Sequence, residues 1–238
     1  MKKFALLSIF FLFGLISCGQ KINFGKIVNS VLGGAPLTEA EVGEGLKEAL
    51  SVGINLGADK ASAIDGYFKN PKIRIPFPPE VQKVETTLRG IGLGGEVDKF
   101  ILALNRGAEN AAQQAKPIFI SAIKQLTFRD AINILRGEKD AATQFLKRTT
   151  SAQLIQAFEP HMLKSLENTN ATKYYTDLAN VYNRVPFVSK INPDLKGYAT
   201  QRAVDGLFLL VADEEARIRE NPLARTSEIL KRVFGSNQ

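Results

Sequence analysis

Residues 95–126 read GEVDKFILALNRGAENAAQQAKPIFISAIKQL, and the spacing of their apolar positions decides the fold. With Val97 at zero and about 100° per residue, Val97, Phe100, Ile101, Leu104, Ala108, Ala111, Ala112, Ala115, Ile118, Phe119, Ala122, Ile123 and Leu126 share one arc of about 140°. Lys99, Arg106, Asn110, Gln113, Gln114, Ser121 and Lys124 take the opposite side. A stripe of this width is buried only against other helices. The spacing therefore predicts an all-α, multi-helix single domain built around a long amphipathic helix, about 95–126. Pro117 falls on the solvent side and is expected to bend that helix by removing one backbone hydrogen bond.

Upstream, Thr38 and Glu41 form a Thr-x-x-Glu capping box opening a helix with Val42, Leu46, Ala49, Leu50, Gly53 and Ile54 on one face. Glycines at 43, 45, 53 and 57 weaken it, and close approach of a neighbouring helix is the expected compensation. Asp65–Pro71 breaks the pattern. Lys72-Ile73-Arg74-Ile75-Pro76-Phe77-Pro78-Pro79 then alternates basic and apolar residues before running into prolines, which reads as extended. Val185–Ile191 is a second extended stretch with which it could form a minor two-stranded ribbon. A helix over Glu80–Arg89 leads into Gly90-Ile91-Gly92-Leu93-Gly94-Gly95. This run lacks the Gly-Lys-Ser/Thr of a phosphate loop and follows a helix rather than a strand, so it reads as a tight helix–helix connection.

Downstream, Thr127 caps Phe128–Leu135, which ends at Gly137. Lys139–Lys147 reads as a short helix, and Thr150 or Ser151 as the cap of Ala152–Leu166, interrupted by Pro160. Ala171–Asn183 and the strongly apolar Asp194–Glu220 follow. Asn221-Pro222 stops that helix, and Pro222 suits the first turn of a last one ending at Gly235. Ile64-Asp65-Gly66-Tyr67-Phe68 is echoed by Val204-Asp205-Gly206-Leu207-Phe208, which suggests two places where glycine permits close approach; nothing around them aligns at a fixed period.

The chain opens Met1-Lys2-Lys3, runs apolar from Phe4 to Ile16 and reaches Leu15-Ile16-Ser17-Cys18. A basic start before a short apolar run reads as an export signal, too short for an ordinary membrane span. Leu-x-small-Cys resembles the bacterial lipobox, in which the cysteine is acylated and the signal is cut before it. Cys18 is the single cysteine, so an intrachain disulfide is excluded. The expected organisation is a lipoprotein signal peptide over 1–17, a lipidated Cys18 with a Gly- and Pro-containing tether over 18–36, and a helical domain over 37–238. Gly19 rather than aspartate after the cysteine resembles sorting to the outer membrane in Gram-negative bacteria, facing the periplasm. Loss of Lys2 and Lys3 takes the net charge from +7 to 7 − 2 = +5. This excess reads as spread along the chain. No stretch interleaves aromatic with basic residues as a nucleic-acid platform does, so loose attraction to anionic head groups is the better reading.

Chemistry is sparse. His161 is the single histidine, which with one cysteine leaves no His- or Cys-based metal site and no cofactor implied. It lies beside Pro160, no serine sits in a nucleophile motif, and no spacing singles out a pair of carboxylates; an exposed or capping histidine is expected. The densest polar constellation is Asp98, Asn105, Glu109 and Lys116 along one border of the central helix, with Arg106 close by. Together with Arg74 it forms a candidate ligand- or partner-facing surface: Arg74, Asp98, Asn105, Arg106 and Glu109. The plainer account is the polar margin of an amphipathic helix, making ion pairs and contacts to nearby loops. Arg74, Arg89, Arg219 and Arg225 stand beside glycines or prolines, where arginines cap helix ends or pair with carboxylates.

Ile73-Arg74-Ile75-Pro76, Leu88-Arg89-x-x-Gly92-x-Gly94, Asn105-Arg106-Gly107-Ala108-Glu109, Asp130-Ala131-x-x-Ile134-Leu135-x-Gly137 and Ile218-Arg219-x-Asn221-Pro222-x-Ala224-Arg225-Thr226 occur in one chain. In combination they resemble the domain of unknown function 4197 family of bacterial envelope proteins. That resemblance implies a single helical domain and an envelope location, and it carries over no catalytic or binding residue. The expected function is a non-enzymatic, periplasm-facing lipoprotein, anchored to the membrane through Cys18, that binds an envelope protein or supports envelope assembly. Two alternatives are a helical carrier of a hydrophobic or lipid-like ligand and a carboxylate-based hydrolase. An apolar cavity would favour the first, and a cleft joining two carboxylates the second.

Overall fold

The computed structural model describes residues 38–90, 92, 94–167, 175–176, 180, 183–184, 187, 190, 194–225 and 231. Leu37–Gln238 forms one compact unit, and its described residues are helices joined by turns, with no strand among them. The order is α1 (Glu39–Ser62), a 3-10 turn (Pro79–Val81), α2 (Gln82–Gly90), α3 (Gly94–Ala112), α4 (Ala115–Lys124), α5 (Phe128–Arg136), α6 (Ala141–Glu167), α7 (Leu195–Glu220) and a second 3-10 turn (Pro222–Ala224). The fold class is all-α.

α7 lies between α1 and α6. Leu195, Ala199, Ala203, Val204, Leu207, Phe208, Leu210, Val211 and Ile218 are buried over most of its girth, because α1 and α6 flank it and α3 also reaches it. α3 packs chiefly along α6, α2 lies on α3, and α4 and α5 both meet α1 and α6. Gly57 of α1 faces the Leu210 backbone, where an added Cβ would lie in ordinary contact at 3.5 Å, whereas one helix contact does depend on glycine. At Gly107 of α3 an added Cβ would stand 3.0 Å from Ser165 Cβ and 3.1 Å from Met162 Sδ of α6, and the Ser165 hydroxyl donates to Ala103 O at 2.8 Å.

The apolar stripe of 95–126 is buried as expected, but it belongs to two helices rather than one. The break falls at Gln113-Gln114, ahead of Pro117, which is the third residue of α4. An N–H at that position has no partner within α4, so proline costs that helix no bond, and the Gln114 backbone keeps helical angles (φ −80°, ψ −10°) at the break. The opposite correction applies to 139–166. Two helices were expected, yet α6 is continuous from Ala141 to Glu167 with Pro160 inside it. Thr150 and Ser151 do not cap: their hydroxyls donate back to Leu146 O (2.6 Å) and Lys147 O (2.5 Å) within the helix. His161 therefore sits half-buried in mid-helix rather than at a cap.

The Thr38 capping box exists, and the Thr127 cap proves to be a second one. Thr38 Oγ1 accepts from Glu41 N while Glu41 accepts from Thr38 N, and Thr127 exchanges the same pair of bonds with Asp130. The helix expected over Glu80–Arg89 resolves into the first 3-10 turn and α2, and Pro222 opens a 3-10 turn. Gly92, at φ +88°, turns the chain between α2 and α3, a conformation glycine adopts without a side-chain clash. Most of Ala171–Asn183 and Val185–Ile191, and the segment running to Gly235, lie outside the described residues.

Candidate functional site

The segment 63–78 between α1 and the first 3-10 turn has no helix of its own; turns within it pair part of its backbone, as Lys69 N with Asp65 O, Asn70 N with Tyr67 O and Arg74 N with Asn70 O. Side chains of α3 pair Tyr67, Phe68 and Ile75. Ile73, Ile75 and Phe77 point inward while Arg74 and Pro76 point out, the period-2 pattern of an extended chain. The buried Asn105 side chain clamps Ile75; the stretch expected to pair with this segment, Val185–Ile191, lies mostly outside the described residues. Ile75 N donates to Asn105 Oδ1 at 2.8 Å, and Asn105 Nδ2 donates to Ile75 O at 2.9 Å and to Ile101 O at 2.7 Å. One amide side chain thus replaces a rung of a β-ladder.

One turn on, Glu109 Oε1 accepts from Tyr67 N (3.1 Å) and Phe68 N (3.2 Å), while Oε2 accepts from Arg106 (2.5 Å). The other guanidinium arm of Arg106 donates to Asp65 at 2.7 Å. The ring of Tyr67, fully buried, seats against Gly206 of α7, where an added Cβ would come within 2.9 Å of it, and its hydroxyl donates to Ala203 O at 2.6 Å. Burial, with the Glu109 charge adding to it, pushes the Tyr67 phenol well above its usual range, so it stays a neutral donor. Hydrogen bonds from Lys69 and then Arg106 hold the Asp65 carboxyl below its usual range, and the bond to Glu109 holds Arg106 up.

Four of the five sequence-derived candidates therefore converge. Asn105, Arg106 and Glu109 all hold segment 63–78, and exposed Arg74 lies over the Phe68 ring at 5.1 Å, with Arg106 at 5.9 Å from the same ring. Asp98 stands apart, exposed and paired with Arg89 of α2 at 2.8 Å. Sequence reasoning missed Asp65 and Tyr67 as members. The echo of their segment around Gly206 was the available signal, since Gly206 is where Tyr67 lands. Gly66 serves a different need from the helix contact expected of it: a Cβ there would overlap the carbonyl oxygens at the end of α1.

Two buried carboxylates on α7 were also missed. Glu215 accepts from Ala142 N (3.0 Å), Thr143 N (2.8 Å) and Thr143 Oγ1 (2.8 Å), and pairs with Arg219 at 2.8 Å. It thereby satisfies orphan donors at the start of α6, where a negative charge also suits the helix dipole. Glu214 is held by Lys60 and by Arg217 at 2.7 Å. Arg219 donates to Ile134 O (2.8 Å) at the end of α5, and Arg225 to Ile218 O and Arg219 O at the end of α7. These arginines cap helix ends, as their positions beside glycine and proline suggested. Arg89 pairs with Glu85 and Asp98, and those bonds raise its pKa, the larger part from Asp98.

Chemically, this network binds backbone and ion-pair partners. Among the described residues no group of three His, Cys, Asp or Glu side chains could hold a metal ion. A pocket of about 20 Å³ between α1, α6 and α7, lined by Leu46, Leu50, Ile54, Val211 and Glu215, has room for roughly one water. None of the described helices is long and apolar enough to cross a membrane.

A family model described as a protein of unknown function (DUF4197) matches residues 36–235. The chain belongs to this family. The match begins two residues before the Thr38 capping box and spans every described helix, so the DUF4197 unit is the helical domain itself. No curated protein and no solved structure matches the chain.

Proposed function

We propose that this DUF4197 protein is a non-enzymatic lipoprotein of the bacterial envelope, held at the membrane through acylated Cys18, with its helical domain facing the periplasm as a protein-binding or envelope-support module. The observation that carries the reading is Leu15-Ile16-Ser17-Cys18 at the end of a basic-then-apolar start, with no other cysteine in the chain. Several acyl chains on one residue give durable attachment, since each buried methylene contributes about 0.8 kcal/mol.

The polar network supports the non-enzymatic part. A general base or nucleophile needs a free lone pair aimed at a cleft. Glu109, Glu214 and Glu215 are instead each engaged by a cation, and Glu109 and Glu215 also by backbone N–H groups. That favours a scaffold over the carboxylate hydrolase. Ligand pockets usually run to about 300–1,000 Å³, so the 20 Å³ space between α1, α6 and α7 lends the carrier reading no support.

The test is Cys18→Ala expressed in a bacterial host with a labelled fatty acid. The wild-type chain should take up label and sediment with membranes; the variant should stay unlabelled and appear as an uncleaved or soluble precursor. Unchanged attachment of the variant would refute the reading.

A further inference from the structure

Charge is not spread evenly over this chain, contrary to the first reading of the sequence. Residues 113–158 carry Lys116, Lys124, Arg129, Arg136, Lys139, Lys147 and Arg148 against Asp130, Glu138 and Asp140, a net 7 − 3 = +4. Lys2 and Lys3 account for two of the chain's seven excess charges, so nearly all the remainder lies in this one segment.

The structure sorts those cations. Lys116 pairs with Asp59, Lys139 with Glu220 and Lys147 with Asp205. Among the described residues Lys124, Arg129, Arg136 and Arg148 make no ion pair, and all four are exposed. Arg129, Asn133 and Arg136 recur at four- and three-residue steps and are all exposed, so they form one outward line on α5. Lys124 ends α4 immediately before that line. Arg148 of α6 acts on the same Asp130 that Arg129 does, and so belongs to the same neighbourhood. Asp130, the one carboxylate on α5, is engaged by Thr127 N (3.1 Å) and Thr127 Oγ1 (2.6 Å). Phe128, the first residue of α5 and next to Arg129, has 41% of its surface exposed. Exposed cations outside any ion pair, next in sequence to an exposed aromatic side chain, are the composition that settles on an anionic bilayer surface.

We propose that this α4–α5 corner, with the adjoining turn of α6, is the face by which the domain rests on an anionic phospholipid surface, Phe128 entering the head-group layer between Lys124, Arg129 and Arg148. The proposal rests on the lipid-anchor reading for proximity to the bilayer, but not for orientation. From Cys18 to Thr38 there are 38 − 18 = 20 residue steps, a span of at most about 70 Å when extended. That separation in sequence assigns no face by itself, so the assignment of the face rests on surface chemistry.

The test uses the chain from residue 18 onward with Cys18→Ser, so that no acyl chain contributes, and vesicles of phosphatidylcholine with or without about one-third phosphatidylglycerol. Binding should require phosphatidylglycerol and fall away in about 0.5 M NaCl, where screening is strong. At about 1 kcal/mol per basic residue near the surface, each lost cation lowers partitioning about fivefold, so Arg129→Gln with Arg148→Gln should lower it about 25-fold. Lys47→Gln with Lys99→Gln removes the same charge from ion-paired positions on α1 and α3 and should change partitioning less than about twofold. Unchanged thermal melting of the Arg129/Arg148 variant shows that folding is not the cause. Equal losses in the two double variants overturn the proposal. So does an absence of binding to anionic vesicles, including the case where this face captures an acidic protein segment instead. If vesicle binding fails while Cys18 is still acylated, only the face is wrong; if acylation fails while vesicles still bind, only the anchor is.

Discussion

Replacing Asn105 by leucine keeps the side chain's size while deleting all three of its hydrogen bonds. Ile101 O retains its ordinary helical partner, so the damage falls on Ile75, whose side chain is 0% exposed and whose N–H and C=O both lose their bond. A buried backbone group left unpaired costs about 1–3 kcal/mol. Two such groups, less a small gain from burying the leucine, give an expected loss of about 3 kcal/mol. For a domain of this size that corresponds to a drop in Tm of about 6–12 °C. The loss should also be local. Hydrogen exchange at Ile75, Tyr67 and Phe68 should accelerate about a hundredfold, following the factor of ten per 1.4 kcal/mol, if segment 63–78 opens before the helices do. Urea unfolding followed by circular dichroism gives the global value, and exchange measured by mass spectrometry gives the local one. A change under about 1 kcal/mol with Ile75 still protected would refute the claim that the Asn105 clamp holds this segment.

Gly206→Ala should destabilise by about 1–3 kcal/mol, since the new methyl would press on Tyr67 and on Ile73 Cβ at 3.1 Å and outweigh its better helix propensity. Gly43→Ala, with nothing within 4 Å of an added Cβ, should stabilise α1 by up to about 1 kcal/mol; thermal melts of the pair check both signs. Thr127→Ala should cost about 1 kcal/mol through loss of the α5 cap, read by urea titration. Lowering pH provides a further check. Because the Asp65 pKa is depressed in the folded state, its contribution is present above the ordinary carboxylate range, near pH 4, and is lost as pH falls through the folded value. Asp65→Asn should therefore be less stable than wild type at pH 7, and that gap should narrow in acid; a constant gap would show that Lys69 and Arg106 do not act through the charge.

Much of this was legible in the residues themselves. Helical spacing from Val97 to Leu126 identified a buried stripe, and the Thr38/Glu41 box and Thr127 marked two helix starts, because caps and periodicity act within four residues and leave their pattern in the chain. The lipobox-like Leu15–Cys18 is likewise a purely local signal. Local spacing could not decide whether a stripe belongs to one helix or two. A wheel drawn through Gln113-Gln114 continues in phase whether or not the backbone does, and Pro117 fits a helix start as well as a bend. Nor could it decide that Thr150 and Ser151 bond backward inside α6 rather than forward as caps, since both choices use the same hydroxyl. The roles of Asn105 and Glu109 depended on what stands 30 and 42 residues away in sequence, at Ile75 and Tyr67. On α3 alone they were a polar margin. Only when the tertiary structure laid the backbone of Tyr67, Phe68 and Ile75 against that margin did they become its hydrogen-bonding partners. The cations of residues 113–158 follow the same logic: the sequence holds them all, but which ones form ion pairs was decided by the carboxylates that packing brought alongside.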